Sequence, residues 1–476
     1  MSKRLRAVAI LLLCAAAPLP AAAEDAPNDA PWAERAVVGH LDQSTLSGTL
    51  DREAIEALTA HGERLFGAKF TDLDGAGRAM ATQAIIPTKR KRPADNTFQR
   101  IAGMDANSCS SCHREPKMGG AGDFSVNVFV TEGFTNVDFD TVDPQFSNER
   151  NTNHLMGAGL VELLAREMTA DLRAIRDAAL HDARAKGEPV TAVLTTKGVE
   201  FGKITAMPDG ILDIHEIEGV DTDLVVRPFS QKGVMTSLRQ FSVNAMNQHH
   251  GMQATERFGS RWTGETDFDE DGHADELTDG DISAVVAWQA TLPPPTVMQP
   301  DDPAWREAAA TGSGVFDAIG CNSCHVRALP LKSLEFSDPG PFDAAGTLRG
   351  GEIAGAVYDL GLMDWAKRLA RNENGEWLVP SFGDLKRHVI TDRQVADLGN
   401  ELLAQRFVER NQFQTTELWG IASTAPYGHR GDFTTLDGVI RAHGGEARAS
   451  RDSYVGLDDS GRGALIAFLK TLVIEP

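Results

Sequence analysis

Cysteine is scarce in this chain. There are five among 476 residues, and one of them sits at position 14, which leaves little material for a disulfide-stapled scaffold. Positive charge is also short. The 46 Lys and Arg are outnumbered by 68 Asp and Glu, for a formal charge of −22, and a field of that sign disfavours nucleic acid as a partner. No stretch approaches eighteen uninterrupted apolar residues, so no membrane-spanning helix is expected. What cysteine there is beyond Cys14 is concentrated in two pentapeptides, Cys109-Ser-Ser-Cys112-His113 and Cys321-Asn-Ser-Cys324-His325.

Both pentapeptides read as attachment sites for c-type haem. Two thiols three residues apart on a turn can add to the two vinyl groups of one porphyrin, and the histidine that follows then lies under the iron as proximal ligand. The competing readings are weaker. A structural zinc needs four ligands, and neither motif has a second Cys/His pair nearby. A thioredoxin-like site or a disulfide has no use for the histidine. Two covalently bound c-type haems are the expected cofactors.

The N-terminus agrees with that chemistry. Lys3, Arg4 and Arg6 precede a short apolar run, Ala7 to Cys14, and Ala21-Ala22-Ala23 forms a small-residue cleavage site. Residues 1–23 therefore read as an export signal, and a periplasmic, soluble mature protein is implied. Leu13 is too bulky before Cys14 for a lipoprotein processing site. Loss of the signal would take the formal charge from −22 to −25, which suits a cationic small cytochrome or copper protein delivering electrons, although solubility alone accounts for it as well.

A repeat divides the rest. Gly62-Glu-Arg-Leu65-Phe66 and Gly312-Ser-Gly-Val315-Phe316 stand upstream of the two motifs, and Ala284-Val-Val-Ala287-Trp288 matches Ala464-Leu-Ile-Ala467-Phe468 downstream. The pattern predicts a mainly α fold of two cytochrome c-like haem domains related by duplication, 24–295 and 302–476, the first with large insertions. Pro293-Pro294-Pro295 marks the linker. Ile55, Leu58, Gly62, Leu65 and Phe66 share one helical face, as do Leu160, Leu163, Leu164, Met168, Leu172 and Ile175. The insertion between Phe66 and Cys109 carries Lys89-Arg90-Lys91-Arg92, a solvated loop or a docking segment for a redox partner. The excursion from Val190 to Val226 has neither an evident fold nor a role.

The sixth position of each iron decides between electron carriage and catalysis. His443, at the end of a helical turn and followed by Gly444-Gly445, is a candidate ligand, though a helix cap explains the glycines equally well. Asp267-x-Asp269-x-Asp271-Gly272, with Asp275 following, has calcium-loop spacing, but Thr278 occupies the position of the bidentate glutamate, so a solvated acidic turn remains open.

From Leu418-Trp419-Gly420 through Thr424-Ala-Pro-Tyr427-Gly-His429-Arg430-Gly-Asp432 to His443-Gly-Gly-Glu446-Ala447 and the closing Ala-Phe-Leu-Lys-Thr-Leu helix, the chain resembles the bacterial di-haem cytochrome c peroxidase superfamily, and in particular its di-haem oxidoreductase branch. Phe70-Thr-Asp-Leu-Asp-Gly75 and Gly157-Ala-Gly-Leu-Val-Glu162 extend the resemblance to most of the chain. It implies a peroxidase reducing hydrogen peroxide with electrons from a small donor protein. The haem on Cys321 and Cys324 would transfer electrons, with His443 as sixth ligand; that on Cys109 and Cys112 would meet peroxide. Where the superfamily keeps an acid-base carboxylate, this chain has Gln248-His249-His250-Gly251-Met252. Distal acid-base catalysis, reversible ligation and a structural pair are all open to His249 and His250. Histidine in place of the methionine of well-studied members lowers the potential of the second haem. That brings in an oxidase of a specific organic or protein substrate, resembling the methylamine dehydrogenase maturation enzyme, as an alternative, and a non-catalytic electron-transfer cytochrome as another. Arg430 is expected on a haem propionate or in a surface ion pair. Trp288 and Trp419 are expected as electron relays or core aromatics, and His388 resembles a family position with no assigned role.

Overall fold

The computed structural model describes residues 30, 32–77, 80–82, 89–91, 108–123, 125–127, 149–343, 346–401 and 408–475. The proposed export signal, Cys14 and most of the insertion before Cys109 lie outside them. Of the basic run, Lys89–Lys91 is described as a short strand paired antiparallel with Met80–Thr82.

Eight helices carry the framework: α1 (Arg52–Gly67), α2 (Ala158–Lys186), α3 (Leu238–Ala245), α4 (Asp279–Thr291), α5 (Pro303–Ala318), α6 (Leu436–Arg441), α7 (Arg448–Gly456) and α8 (Asp459–Leu469). Their ends follow local chemistry. Asp51, Ser237, Thr278, Asp302, Thr435 and Asp458 each accept a first-turn N–H at an N-terminus. Thr278 and Asp281 close a full capping box, and Pro303 opens α5, where its missing N–H costs nothing.

Two helix pairs dominate. In α1, Ile55, Leu58, Gly62, Leu65 and Phe66 are all buried, and a Cβ on Gly62 would overlap the carbonyl of Ala284 in α4. In the other pair, a Cβ on Gly312 of α5 would overlap the carbonyl of Ala464 in α8. Each crossing is thus as close as two backbones allow, and each glycine is required for that approach rather than for its torsions. The residues matched in sequence meet in space in the same way in both pairs. Helix α4 is buried from Gly280 to Ala290 on every side, as expected of a helix enclosed by α1, α2 and α3.

The expectation of a mainly α fold holds in part. The described residues also form seven small sheets of two or three strands. The stretch from Val190, unreadable in sequence, is an antiparallel hairpin, Val190–Thr196 with Val199–Ala206, extended by Leu212–Asp213. It packs on α2, whose Leu160, Leu164, Met168 and Leu172 are wholly buried, each stabilising the fold by about 1.5–3 kcal/mol relative to exposure.

The core also crosses the sequence halves. Gly48–Leu50 pairs in parallel with Ala356–Tyr358, and Leu329, Leu331, Phe336, Tyr358 and Trp365 share one apolar cluster with α1, α2 and α4. A buried ionic knot joins the same regions. Arg239 of α3, 1% exposed, bonds Glu256 at 2.9 Å and Asp338 at 3.0 and 3.1 Å, and Tyr358 donates to Asp338 at 3.0 Å. The second apolar cluster is compact and local, built on Phe316, Phe382, Tyr427, Tyr454 and Phe468. Among the described residues, no helix is long and apolar enough to cross a membrane.

Candidate functional site: two cysteine-histidine loops

Both Cys-x-x-Cys-His loops are single 3-10 turns, Cys109–Ser111 and Cys321–Ser323, each reached from the end of a helix of one crossing pair. All four cysteines are half-buried. In both turns the histidine N–H bonds the first cysteine's carbonyl at 3.0 Å. That places thiols and imidazole on one compact turn, as the covalent reading requires.

The C-terminal loop is the better defined. His325 Nδ1 donates to the Phe382 carbonyl at 3.2 Å, which orients the ring and leaves Nε2 for an iron, the orienting bond that a metal-bound histidine needs. His443 Nδ1 likewise donates to the Val439 carbonyl at 2.8 Å, with Nε2 remaining. Burial lowers the pKa of both rings, His325 to about 4, and His443 lies near enough for its charge to oppose that of His325. Two neutral imidazoles with free Nε2 atoms fit an iron held between them. The glycines after His443 permit close backbone approach: Gly444 N–H bonds the Ile390 carbonyl at 2.8 Å, and a Cβ on Gly445 would overlap Val389.

His388 lies beside this site. Its Nε2 is 2.8 Å from Asp384, its Nδ1 2.8 Å from Glu446 and 4.0 Å from Cys324 Sγ. Burial disfavours its charge, but the Asp384 and Cys324 groups outweigh burial and push its pKa up to about 11. The imidazolium thus ties the strand Arg387–Val389 to Glu446, three residues after His443, and Glu446 also accepts the Val389 N–H at 2.9 Å.

The N-terminal loop is less symmetrical. Phe66 stacks on Trp288 at 4.3 Å between centroids and lies 6.0 Å from the His113 ring. The buried His113 ring is approached by the backbone of Gly120 and Asn153, without a hydrogen bond of good geometry to its Nδ1 among the described residues. His249 and His250 sit on a π-helical turn, Met246–His250, that widens the end of α3. His250 is buried, with Nε2 3.4 Å from Cys109 Sγ and its ring 5.6 Å from Phe70. His249 is half-buried and meets His250 edge to face at 6.5 Å. The turn therefore brings His250 to the thiol that would hold the porphyrin and leaves His249 further out.

Other candidates are placed as follows. Arg430, expected on a propionate, is buried and engaged by Glu149 at 2.6 Å and the Asn400 carbonyl at 3.3 Å. In the calcium-like loop, ligand oxygens of Asp267, Asp269 and Asp271 lie within 4.8 Å of one another. Asp275 is exposed and outside that group, whereas Glu276, buried and bonded to the Gln253 N–H at 2.7 Å, has its pKa raised by burial and by Asp269. Thr278 is an N-cap, not a ligand. Trp419 is buried, and its carbonyl accepts a hydrogen bond from His154 Nε2 at 3.0 Å. Sequence reasoning missed His154 altogether, because its partner is 265 positions away. Asp384 and Glu446 had a weak signal in their spacing from His388 and His443.

Residues 365–472 match the model of a family described as "Di-haem oxidoreductase, putative peroxidase". This C-terminal stretch contains His388, Trp419, Arg430 and His443, and it supports the resemblance to the di-haem peroxidase superfamily. A curated relative, cytochrome-c peroxidase IdrP2 of Denitromonas iodatirespirans, is 38% identical over 81 residues, 17% of this chain and 22% of that protein. The chain thus spans about a fifth of that relative's length. Among solved structures, the hydrazine synthase of Kuenenia stuttgartiensis aligns over 99% of this chain and 100% of its own at 12% identity and a TM-score of 0.33. A MauG-like protein associated with microbial copper homeostasis aligns over 56% and 78% at 14% identity and a TM-score of 0.27. Neither score establishes a shared fold.

Proposed function

We propose that this protein is a periplasmic di-haem c-type cytochrome oxidoreductase that reduces hydrogen peroxide with electrons from a small donor protein, a cytochrome or a copper protein. The observation that carries the reading is the inequality of the two loops. One has a second oriented imidazole, His443, near its proximal histidine; the other has a histidine pair on a widened turn beside Cys109. Cys109, Cys112 and His113 would hold one haem, and Cys321, Cys324 and His325 the other. When bound, these haems supply one-electron redox chemistry and a metal that peroxide can reach.

The chain's own residues do the rest. His113 and His325 bind from the proximal side, and His443 closes the second site so that it passes electrons without chemistry. His250, with His249 behind it, would move a proton from the near to the far oxygen of peroxide, so that two electrons and two protons yield two waters. The acidic loop of Asp267, Asp269 and Asp271 would seat a calcium ion, with Glu276 rather than Asp275 completing the carboxylate set. The duplicated domains 24–295 and 302–476 are supported by the two equivalent glycine crossings. An oxidase of an organic or protein substrate is the second reading, favoured by His443, since a second histidine ligand lowers the potential relative to methionine.

The test is peroxide turnover with reduced cytochrome, alongside paramagnetic resonance of the oxidised protein. One low-spin and one displaceable iron with cytochrome oxidation is the expected result. Two permanently low-spin irons inert to peroxide would leave only an electron carrier.

A further inference from the structure

A continuous run of bonds connects the two proximal histidines. It starts at His325 Nδ1, which donates to the Phe382 carbonyl at 3.2 Å. The same oxygen accepts the Leu418 N–H at 3.3 Å. The chain then leads to Trp419, whose carbonyl accepts from His154 Nε2 at 3.0 Å. Asn153, the residue before His154, sets its backbone against the His113 ring. From one loop to the other the path runs through covalent bonds and three hydrogen bonds of 3.0 to 3.3 Å, with a single contact at Asn153.

The surroundings are shaped for this path. Phe382 adopts φ +55°, a left-handed conformation rare for a bulky side chain and kept only where neighbours over-determine it. Gly157, at φ +79°, leaves room for the Trp419 indole, which a Cβ there would overlap. A Cβ on Gly420 would stand 3.4 Å from His154 Nε2. The bond to Trp419 fixes a proton of His154 on Nε2, and the ring also meets the Met156 backbone and lies close enough to His113 for the two charges to oppose each other.

We propose that His154 is the bridge through which an electron passes between the two haem sites, an inference that rests on the di-haem reading above. One electron leaves the iron held by His325, which is oxidised by one unit, and arrives at the iron held by His113, which is reduced by one. No bond is made or broken, and no proton moves. The donor protein refills the first site and peroxide is the terminal oxidant. Electronic coupling decays more slowly along covalent and hydrogen bonds than across van der Waals gaps, so the Nε2 bond governs the rate. His154 touches no substrate and acts as a bridging and positioning residue.

Flash photolysis of carbon monoxide from the mixed-valence holoprotein reads electron redistribution between the haems directly. His154→Leu should slow it by an order of magnitude or more, with haem count and both low- and high-spin spectra unchanged. His154→Gln keeps an N–H toward the Trp419 carbonyl and should recover most of the rate. A rate in His154→Leu within twofold of the parent, or a glutamine variant as slow as the leucine one, overturns the bridge. Should His154→Leu fail to accumulate, His154→Met, which also lacks an N–H for the Trp419 carbonyl, takes its place; slowing supports the proposal and an unchanged rate sinks it. Fewer than two haems in the parent by pyridine haemochrome, or no redistribution in it after the flash, overturns the di-haem reading itself, whereas failure confined to the variants overturns the bridge alone.

Discussion

The two cysteine-histidine loops differ most in what holds their histidines. At the C-terminal loop, His325 and His443 are each oriented by a backbone carbonyl, and His388, gripped by two carboxylates, braces the segment that carries His443. At the N-terminal loop, His113 meets the Gly120 and Asn153 backbone only in poor hydrogen-bond geometry, and the histidines beside Cys109 are consecutive residues on a π-helical turn. A bond that fixes an imidazole makes a rigid ligand, whereas a π-turn holds its residues less tightly than α-helix and recurs at functional sites. One site is built to stay as it is, and the other to admit something.

That comparison can be broken at several points. The largest effect is expected from Cys321→Ala with Cys324→Ala, or Cys109→Ala with Cys112→Ala: each double variant should lose one covalent haem, read by pyridine haemochrome and intact mass. Retention of two haems in either would remove the assignment of that loop. Next, Arg239→Ala would leave Glu256 and Asp338 buried without their partner, and about 3–5 kcal/mol of stability should disappear from chemical denaturation. None of the knot's bonds reaches a cysteine-histidine loop, so both haem spectra should remain native below the transition. His443→Ala should turn only the second haem high-spin, and His250→Ala should abolish peroxide turnover while leaving the second haem low-spin.

A pH titration sharpens the contrast further. Against the effect of burial, hydrogen bonding to Asp384 raises the folded-state pKa of His388 above 6.5, so its contribution to stability is fully present below pH 6.5 and is lost as pH rises through the raised value. Melting temperature should fall over that window in the parent and fall less in His388→Gln. A parallel decline in both would dismiss the imidazolium brace. The smallest effect concerns calcium. Titration calorimetry should detect binding that Asp269→Asn abolishes, with the first loop's spectrum barely altered.

Much of this arrangement was legible in advance wherever the chemistry is local. The two pentapeptides, the helical face of Ile55 to Phe66 and the face of Leu160 to Leu172 depend on spacing alone, and they lie where spacing puts them. The Gly62 and Gly312 pattern was readable because a close helix crossing excludes every side chain at one position. His154, Phe382 and the knot around Arg239 were not readable. Their partners lie tens to hundreds of positions away, and neither periodicity nor motif encodes a contact of that separation. The hairpin from Val190 was missed because it runs into the Asp- and Gly-rich text from Asp209 to Asp223, which looks like loop.

The parallel pairing of Gly48–Leu50 with Ala356–Tyr358 has a consequence for biogenesis. A polypeptide emerging N-terminus first displays Cys109 and Cys112 long before residue 356 arrives to finish the sheet and apolar cluster around them. The earlier loop is thereby left as an unfinished, accessible strand of chain, open to a covalent attachment of the kind proposed above, and the fold shuts over it only when most of the chain has emerged. Separately produced halves would each lack a wall.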